Sequence, residues 1–271
     1  MSGWDGEGYA RVSGLQRTLA ERSLSGLDLG GAERLLDIGC GDGFVTAELA
    51  ARLPGGSVVG VDASPSMIDA ARARTAPAGT ALEFLVADAR DLPFADEFDV
   101  VVSFNALHWV TEPGSALAGI ARALRAAGRA TIQVVCASER PSLEAVAMRV
   151  CRRPEWSGDF TGFESPFLHV DPADYPELAS SAGLTVAGLR VADLDWDFGS
   201  REAFAQWFAV GATAWTSRLD DRRAAGFVDQ VVRDYETVAG RPGLFRFTQM
   251  RAELAKSRMS ESRTPERRAS P

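Results

Sequence analysis

Lysine is almost missing from this chain: Lys256 is the only one, and every other basic side chain is an arginine. We read that as a coding-composition bias and attach no function to it. Cysteine is scarce too, at positions 40, 136 and 151. Three thiols so placed make no disulfide framework, which leads us to expect a reducing, cytoplasmic setting. Their spacing matches no zinc site, so no metal is expected. No run of eighteen apolar residues occurs, which excludes a spanning helix and a membrane partner. The first residues, MSGWDGEGYARVSG, carry acids and glycines where a signal peptide needs a basic start and an apolar stretch. Positive charge is in deficit: 29 basic against 37 acidic residues give a net charge of −8 and a pI near 5.0. Such a chain repels phosphate backbones, so a nucleic-acid partner is not expected.

What is present is an ordinary soluble balance, 46% hydrophobic and 24% charged over 271 residues, enough for one large domain or one domain with a small cap. Leu15, Leu19 and Leu24, spaced among polar residues, predict a helix from about 8 to 26, ended near Gly26. Strands and helices then alternate. Strands are read at 34–38, 57–61, 82–86, 98–104 and 129–135, and helices at 44–53, 65–74 and 116–126. Ser64 is a plausible N-cap, with Pro65 at the first helical position. The unbroken Val100-Val101-Val102 suits a strand buried on both faces of a parallel sheet. The rhythm points to an open, doubly wound α/β sheet. It breaks after about residue 137. Helical pieces at 143–151 and 173–181 surround an aromatic loop with Trp156, Phe160, Phe163 and Phe167. A strand at 184–194, two helices over 200–239, a last strand at 244–253 and a polar, disordered tail complete the reading.

Three motifs carry chemistry. The first is L-L-D-I-G-C-G-D-G over 35–43, at the turn from the first strand into its helix. Gly39, Gly41 and Gly43 allow positive φ and let a ligand lie against bare backbone, while the following helix offers free N–H groups. A dinucleotide site wants G-x-G-x-x-G; here the third Gly falls one residue early and Phe44 stands in its place, so a nicotinamide or flavin is disfavoured. Asp37, at the strand end, can hold an amino group rather than a pyrophosphate. The second motif is V-G-V-D, whose Asp62 is placed to take both hydroxyls of a ribose about twenty residues downstream of the glycines. The third is V-A-D-A-R-D-L-P-F: Asp88 can accept from an exocyclic adenine amine, and a neighbouring backbone N–H can meet a ring nitrogen. Taken singly, each also reads as a plain turn or a solvated loop.

Together these residues, with F-D-V-V-V-S-F-N-A-L-H-W-V, resemble the core of the class I S-adenosylmethionine-dependent methyltransferases over 35–136. The resemblance implies a Rossmann-like, doubly wound, seven-stranded sheet whose last strand is antiparallel, here 244–253. It also implies S-adenosyl-L-methionine as cofactor. Asp37 and Gly39 would meet its methionine end, Asp62 the ribose, Asp88 with Ala89 the adenine, and Asn105 would lie near the sulfonium. A narrower likeness runs through Trp4-Asp5, Tyr9, S-G-L-Q at 13–16, L-H-W-V and F-R-F-T-Q-M-R. It is to small-acid methyltransferases, the trans-aconitate and juvenile hormone acid methyltransferase group. That likeness implies that Gln16 and Trp109 hold a substrate carboxylate.

The domain reading is a helical lid at 1–30, a cofactor-binding core at 31–137, and a helical cap at 138–182 and 200–239. The strands 184–194 and 244–253 complete the core, and 255–271 form the tail. The expected activity is methyl transfer to a small molecule, at a carboxylate or hydroxyl oxygen or, as the alternative, at nitrogen or carbon, by a monomer or homodimer. Trp156, Trp196, Trp207 and Trp215, with Phe204 and Phe208, either line the cap pocket or form the cap's own core. A pocket of that kind favours an apolar or aromatic substrate. A polyanion would need arginines, for which Arg149, Arg152 and Arg153 are candidates unless they form a solvated face. His108 is either a general base of near-neutral pKa for a hydroxyl or amine, or a packed histidine; His169 reads as a loop residue. Two rivals stand beside this reading. One is a cofactor-binding module that does not methylate, which would yield no adenosylhomocysteine. The other is an RNA or protein methyltransferase; the chain reads N-A-L-H after the fourth strand, where base-methylating members carry N-P-P-[YF].

Overall fold

The computed structural model describes residues 15, 18–74 and 81–257. Seven strands form one sheet: β1 (Arg34–Ile38), β2 (Ser57–Asp62), β3 (Ala81–Val86), β4 (Phe98–Phe104), β5 (Leu124–Val135), β6 (Leu184–Asp197) and β7 (Leu244–Lys256). Their order across the sheet is β3-β2-β1-β4-β5-β7-β6. β1 to β5 run parallel to one another, and β7 is antiparallel to both β5 and β6. The order reverses between β1 and β4, which makes a switch point at their carboxyl ends. The central strands are apolar on both faces, as helical layers on each side require: Leu35, Leu36, Val100, Val101 and Val102 are all buried.

The helices of the sheet layers are α1 (Phe44–Ala51), α2 (Pro65–Arg72), α3 (Pro113–Ala123) and, beyond β5, α5 (Tyr175–Ser181). Ser64 caps α2 as its sequence predicts, accepting from the Met67 N–H, with Pro65 in the first turn. The sequence places α3 at 116–126, whereas the helix begins at Pro113 and stops at Ala123. The alanines beyond it have high helix propensity, but Leu124 pairs with Phe98 at the sheet, and tertiary pairing overrides propensity. β5 therefore starts at Leu124 rather than 129 and carries a register shift opposite Phe98 and Val100.

The cap consists of α4 (Leu143–Cys151), α6 (Arg201–Gly211), α7 (Thr213–Thr216) and α8 (Asp221–Ala239). Three helices, not two, thus occupy 200–239; the extra break falls at Gly211-Ala212. Ser142, Ser200 and Asp220 cap α4, α6 and α8 through their side chains. These helices enclose a core of their own, with Phe204, Trp215, Phe227, Val231 and Tyr235 fully buried. Leu15 joins that core at 2% exposure. Residues 18–24 are helical, within the predicted 8–26 segment. Trp4, Tyr9, Gln16 and the tail from 258 lie outside the described residues. Cys40, Cys136 and Cys151 are buried and free.

Candidate active site

The L-L-D-I-G-C-G-D-G turn puts Gly39 at φ 74° and Gly43 at φ 77°. A Cβ on Gly39 would lie 2.1 Å from Ala106 Cβ, so only glycine lets the turn after β1 meet the one after β4. Gly43 has a different task. A Cβ there would meet the Phe84 ring at 2.8 Å and Ala71 at 2.9 Å, so its bare α-carbon serves helix–strand packing and does not line the cleft. Gly41 acts through its backbone, donating to Asp62 Oδ2 at 3.0 Å. The other Asp62 oxygen accepts from the Ser64 N–H at 2.9 Å. Two backbone donors thus aim the carboxylate while leaving lone pairs for further donors.

A cleft of about 330 Å³ opens over the carboxyl ends of β1 to β4. Gly39, Asp62, Asp88, Ala89, Asn105 and Trp109 all line it, so the three sequence motifs meet in one place. Asp88 is engaged by a residue the sequence reading passed over: Arg90 holds both its oxygens, with contacts from 2.6 to 3.1 Å. That hydrogen-bonded guanidinium keeps the Asp88 carboxyl below its ordinary value. Asp37 is not part of the cleft lining. It is 2% exposed and accepts from Thr46 Oγ1 at 2.7 Å. Burial first, and the Asp62 charge to a lesser degree, outweigh that hydrogen bond and push its pKa up to about 6.

Asn105 follows β4 at φ 57°, a left-handed conformation that Asn tolerates better than most residues. Its N–H donates to the Gln133 carbonyl at 2.7 Å, and its Oδ1 accepts from Gln249 Nε2 at 2.7 Å. Gln249 belongs to the F-R-F-T-Q-M-R segment on β7, so the last strand aims a residue of the site.

Behind Asn105 and Trp109 lies a second cavity of about 270 Å³ under the cap. Its walls include Leu19, Val135, Trp207, Phe208, Phe245 and Phe247, and its polar members are Asn105, His108 and Glu144. Asn105 and Trp109 border both cavities. Trp109 is 37% exposed and meets Trp215 and Phe167 edge-on. Arg149 and Arg152 are exposed on their helix, and Arg153 pairs with Asp234, so these three form a solvated face.

His108 is brought to the cap cavity, but not as a near-neutral base. Its ring is 5% exposed, and burial, with His169 adding to it, pushes its pKa down to about 3. Its Nδ1 has no hydrogen-bond partner among the described residues. His169, read from the sequence as a loop residue, packs beside it with ring centroids 6.0 Å apart. His169 Nε2 in turn lies 3.9 Å from Glu144 Oε2. Glu144 was not singled out by any motif; it lies in the first turn of α4, where it lines the cavity and approaches His169.

Comparison with known proteins agrees with this geometry. Residues 36–132 match a family model described as a methyltransferase domain. Trans-aconitate 2-methyltransferase of Rhodococcus jostii is 32% identical over 185 residues, 68% of this chain and 70% of that protein. The trans-aconitate 2-methyltransferase of Mycobacterium tuberculosis is 34% identical over the same length, 68% of each chain. The solved structure of geranyl diphosphate C-methyltransferase from Streptomyces coelicolor shares the fold, with a TM-score of 0.58 at 17% identity, covering 94% of this chain and 86% of that one. The chain belongs to the class I S-adenosylmethionine-dependent methyltransferases and is an enzyme of that family.

Proposed function

We propose that this enzyme transfers a methyl group from S-adenosyl-L-methionine to an oxygen of a small apolar or aromatic molecule held in the cap cavity. The observation that carries the reading is the shared wall: Asn105 and Trp109 border both cavities, so a ligand in each would meet there. Two features support the fit of the cofactor. Gly39 leaves backbone bare where any Cβ would collide. Asp62, a lining residue aimed by two backbone N–H groups, keeps lone pairs free for the hydroxyls of a ribose.

When bound, the cofactor supplies a methyl group already activated for in-line displacement. The protein's part is position and exclusion of water. Asp62, aimed by the Gly41 and Ser64 N–H groups, would hold the ribose hydroxyls. Asp88 and Ala89 would take the adenine edge, with Arg90 fixing the Asp88 carboxylate. Asn105, held by Gln249, would stand beside the reacting centre. Trp109, and Gln16 by family resemblance, would orient the acceptor oxygen.

Asp62→Ala tests the assignment. Hydrogen bonds to a charged oxygen contribute roughly 1.5–3 kcal/mol each. Calorimetric titration with S-adenosyl-L-methionine should therefore give a dissociation constant at least about tenfold higher. The carboxylate also holds two backbone donors, so Asp62→Asn serves as the milder control for folding. Unchanged affinity in a folded Asp62→Ala protein would remove this residue from the site.

A further inference from the structure

Glu144 is the one carboxylate among the described residues that line the cap cavity, and no lysine or arginine lines it. It projects from the first turn of α4, where the helix dipole favours negative charge. Its side chain is 13% exposed, its ion-pair contact is with His169 at 3.9 Å, beyond hydrogen-bond reach, and its charge also acts on the Tyr235 phenol. The rest of the wall is Trp, Phe, Val and Leu, apart from Asn105 and His108. His108 lines the same cavity with a buried, unpartnered Nδ1 and is uncharged at neutral pH. A partly buried carboxylate in a largely apolar wall, with no hydrogen-bond donor among the described residues, is an acceptor open to a ligand's donor.

We propose that Glu144 is the polar anchor of the acceptor site and selects an apolar alcohol or phenol, whose O–H it accepts, against a carboxylic acid. This deepens the methyl-transfer reading above and rests on it. The argument is one of charge and hydrogen-bond count. An acceptor carboxylate would meet like charge at Glu144 and no cationic side chain among the described lining residues, and like charge in a low-dielectric pocket is strongly unfavourable. A hydroxyl brings the donor that Glu144 lacks, and its apolar body fits the aromatic wall. The trans-aconitate relatives, by their name, act on a polyacid. A cavity whose one charged lining residue, among the described residues, is an acid is unsuited to such a substrate, so on this proposal the chain departs from them in acceptor chemistry while sharing their core.

The test uses two probes with one apolar body, 3-phenylpropan-1-ol and 3-phenylpropanoate. Each is titrated into the full-length protein, with and without adenosylhomocysteine, by tryptophan fluorescence. Trp109 and Trp207 stand in the cavity wall and report occupancy. The wild type should bind the alcohol at least about tenfold tighter than the acid. In Glu144→Gln the side chain can donate as well as accept, so the preference should shrink or invert, chiefly through tighter binding of the acid. Glu144→Ala provides a second variant should the first fold poorly, and the wild-type preference stands as a test without either. Equal affinities, tighter binding of the acid by the wild type, binding of neither probe, or an unchanged preference in a folded Glu144→Gln would each overturn the proposal. Calorimetry with adenosylhomocysteine separates this from the parent reading: no cofactor binding sinks methyl transfer, whereas intact cofactor binding with the wrong probe preference sinks only the assignment of Glu144.

Discussion

Asp37 shows how a single residue can be placed against its own stability. Its carboxyl has a folded pKa of about 6, raised from 3.8, chiefly by burial. The folded state therefore holds a proton that the unfolded chain has released, and stability falls as pH rises from about 4 to about 6, then stays low. One pKa unit corresponds to about 1.4 kcal/mol, so the loss amounts to about 3 kcal/mol. Asp37→Asn keeps an oxygen for the Thr46 hydroxyl and removes the charge. It should be more stable than wild type above pH 6 and indistinguishable below about pH 4 in urea melts. A variant less stable than wild type at pH 8 would show that the carboxylate is compensated in the ligand-free protein. His108 carries the opposite sign. Its folded pKa is depressed, so the stability it contributes is lost as pH falls below about 6.5, when the unfolded chain takes up a proton and the buried ring does not. Asp62 and Asp88 were legible in the sequence because strand ends and loop spacing are local. The burial of Asp37, the engagement of Asp88 by Arg90 and the loss of basicity at His108 were not, because each depends on what tertiary packing puts around the side chain.

At the scale of elements, the βα turns were the most readable part. Their glycines, the Ser64-Pro65 cap and the apolar β4 run are dictated by backbone geometry and two-sided burial. The boundary of α3 and the start of β5 were misread because alanines suit both states and only the pairing of Leu124 with Phe98 decides between them. The cap helices were read as fewer and longer because the break between α6 and α7 is marked by one Gly-Ala step. The cap cavity was legible only in part: Trp207 and Phe208 line it, while Trp156, Phe204 and Trp215 belong to the cap's own core, because the walls come from α4, α6, β5, β7 and residue 19 at once. The turn after β1 yields a prediction of its own. Gly39→Ala must accommodate both a positive φ and a Cβ 2.1 Å from Ala106. The first strains the backbone and the second forces the turns after β1 and β4 apart, moving Asn105 with them. We expect a lower melting temperature, and cofactor affinity reduced by at least about tenfold, read by calorimetry. The paired variant Gly26→Ala, with positive φ but open space around it, should lose stability without losing affinity. Equal effects on affinity would show that close approach at Gly39 does not shape the cleft.

Across the whole molecule, two cores meet at one wall. The sheet core and the cap core are separately packed, one cavity lies against each, and Trp109 and Asn105 border both cavities. Trp109 is only half-buried, held by edge-on aromatic contacts rather than by enclosure on all sides. We expect filling either cavity to remove freedom from that ring, so that the second ligand finds it already ordered. Ordering that is met once by the first ligand makes binding cooperative without any large movement. Adenosylhomocysteine should accordingly tighten binding of an acceptor probe such as 3-phenylpropan-1-ol by roughly fivefold, the low end of ordinary coupling between sites. Thermodynamic linkage requires the reciprocal effect, so the probe must tighten adenosylhomocysteine by the same factor. Trp109→Ala should remove most of this coupling in both directions while leaving the Asp62 hydrogen bonds, and hence most of the cofactor affinity, in place. Titrations in both orders measure it. Coupling that survives the substitution intact would assign communication between the cavities to Asn105 and its Gln249 support, and not to the indole.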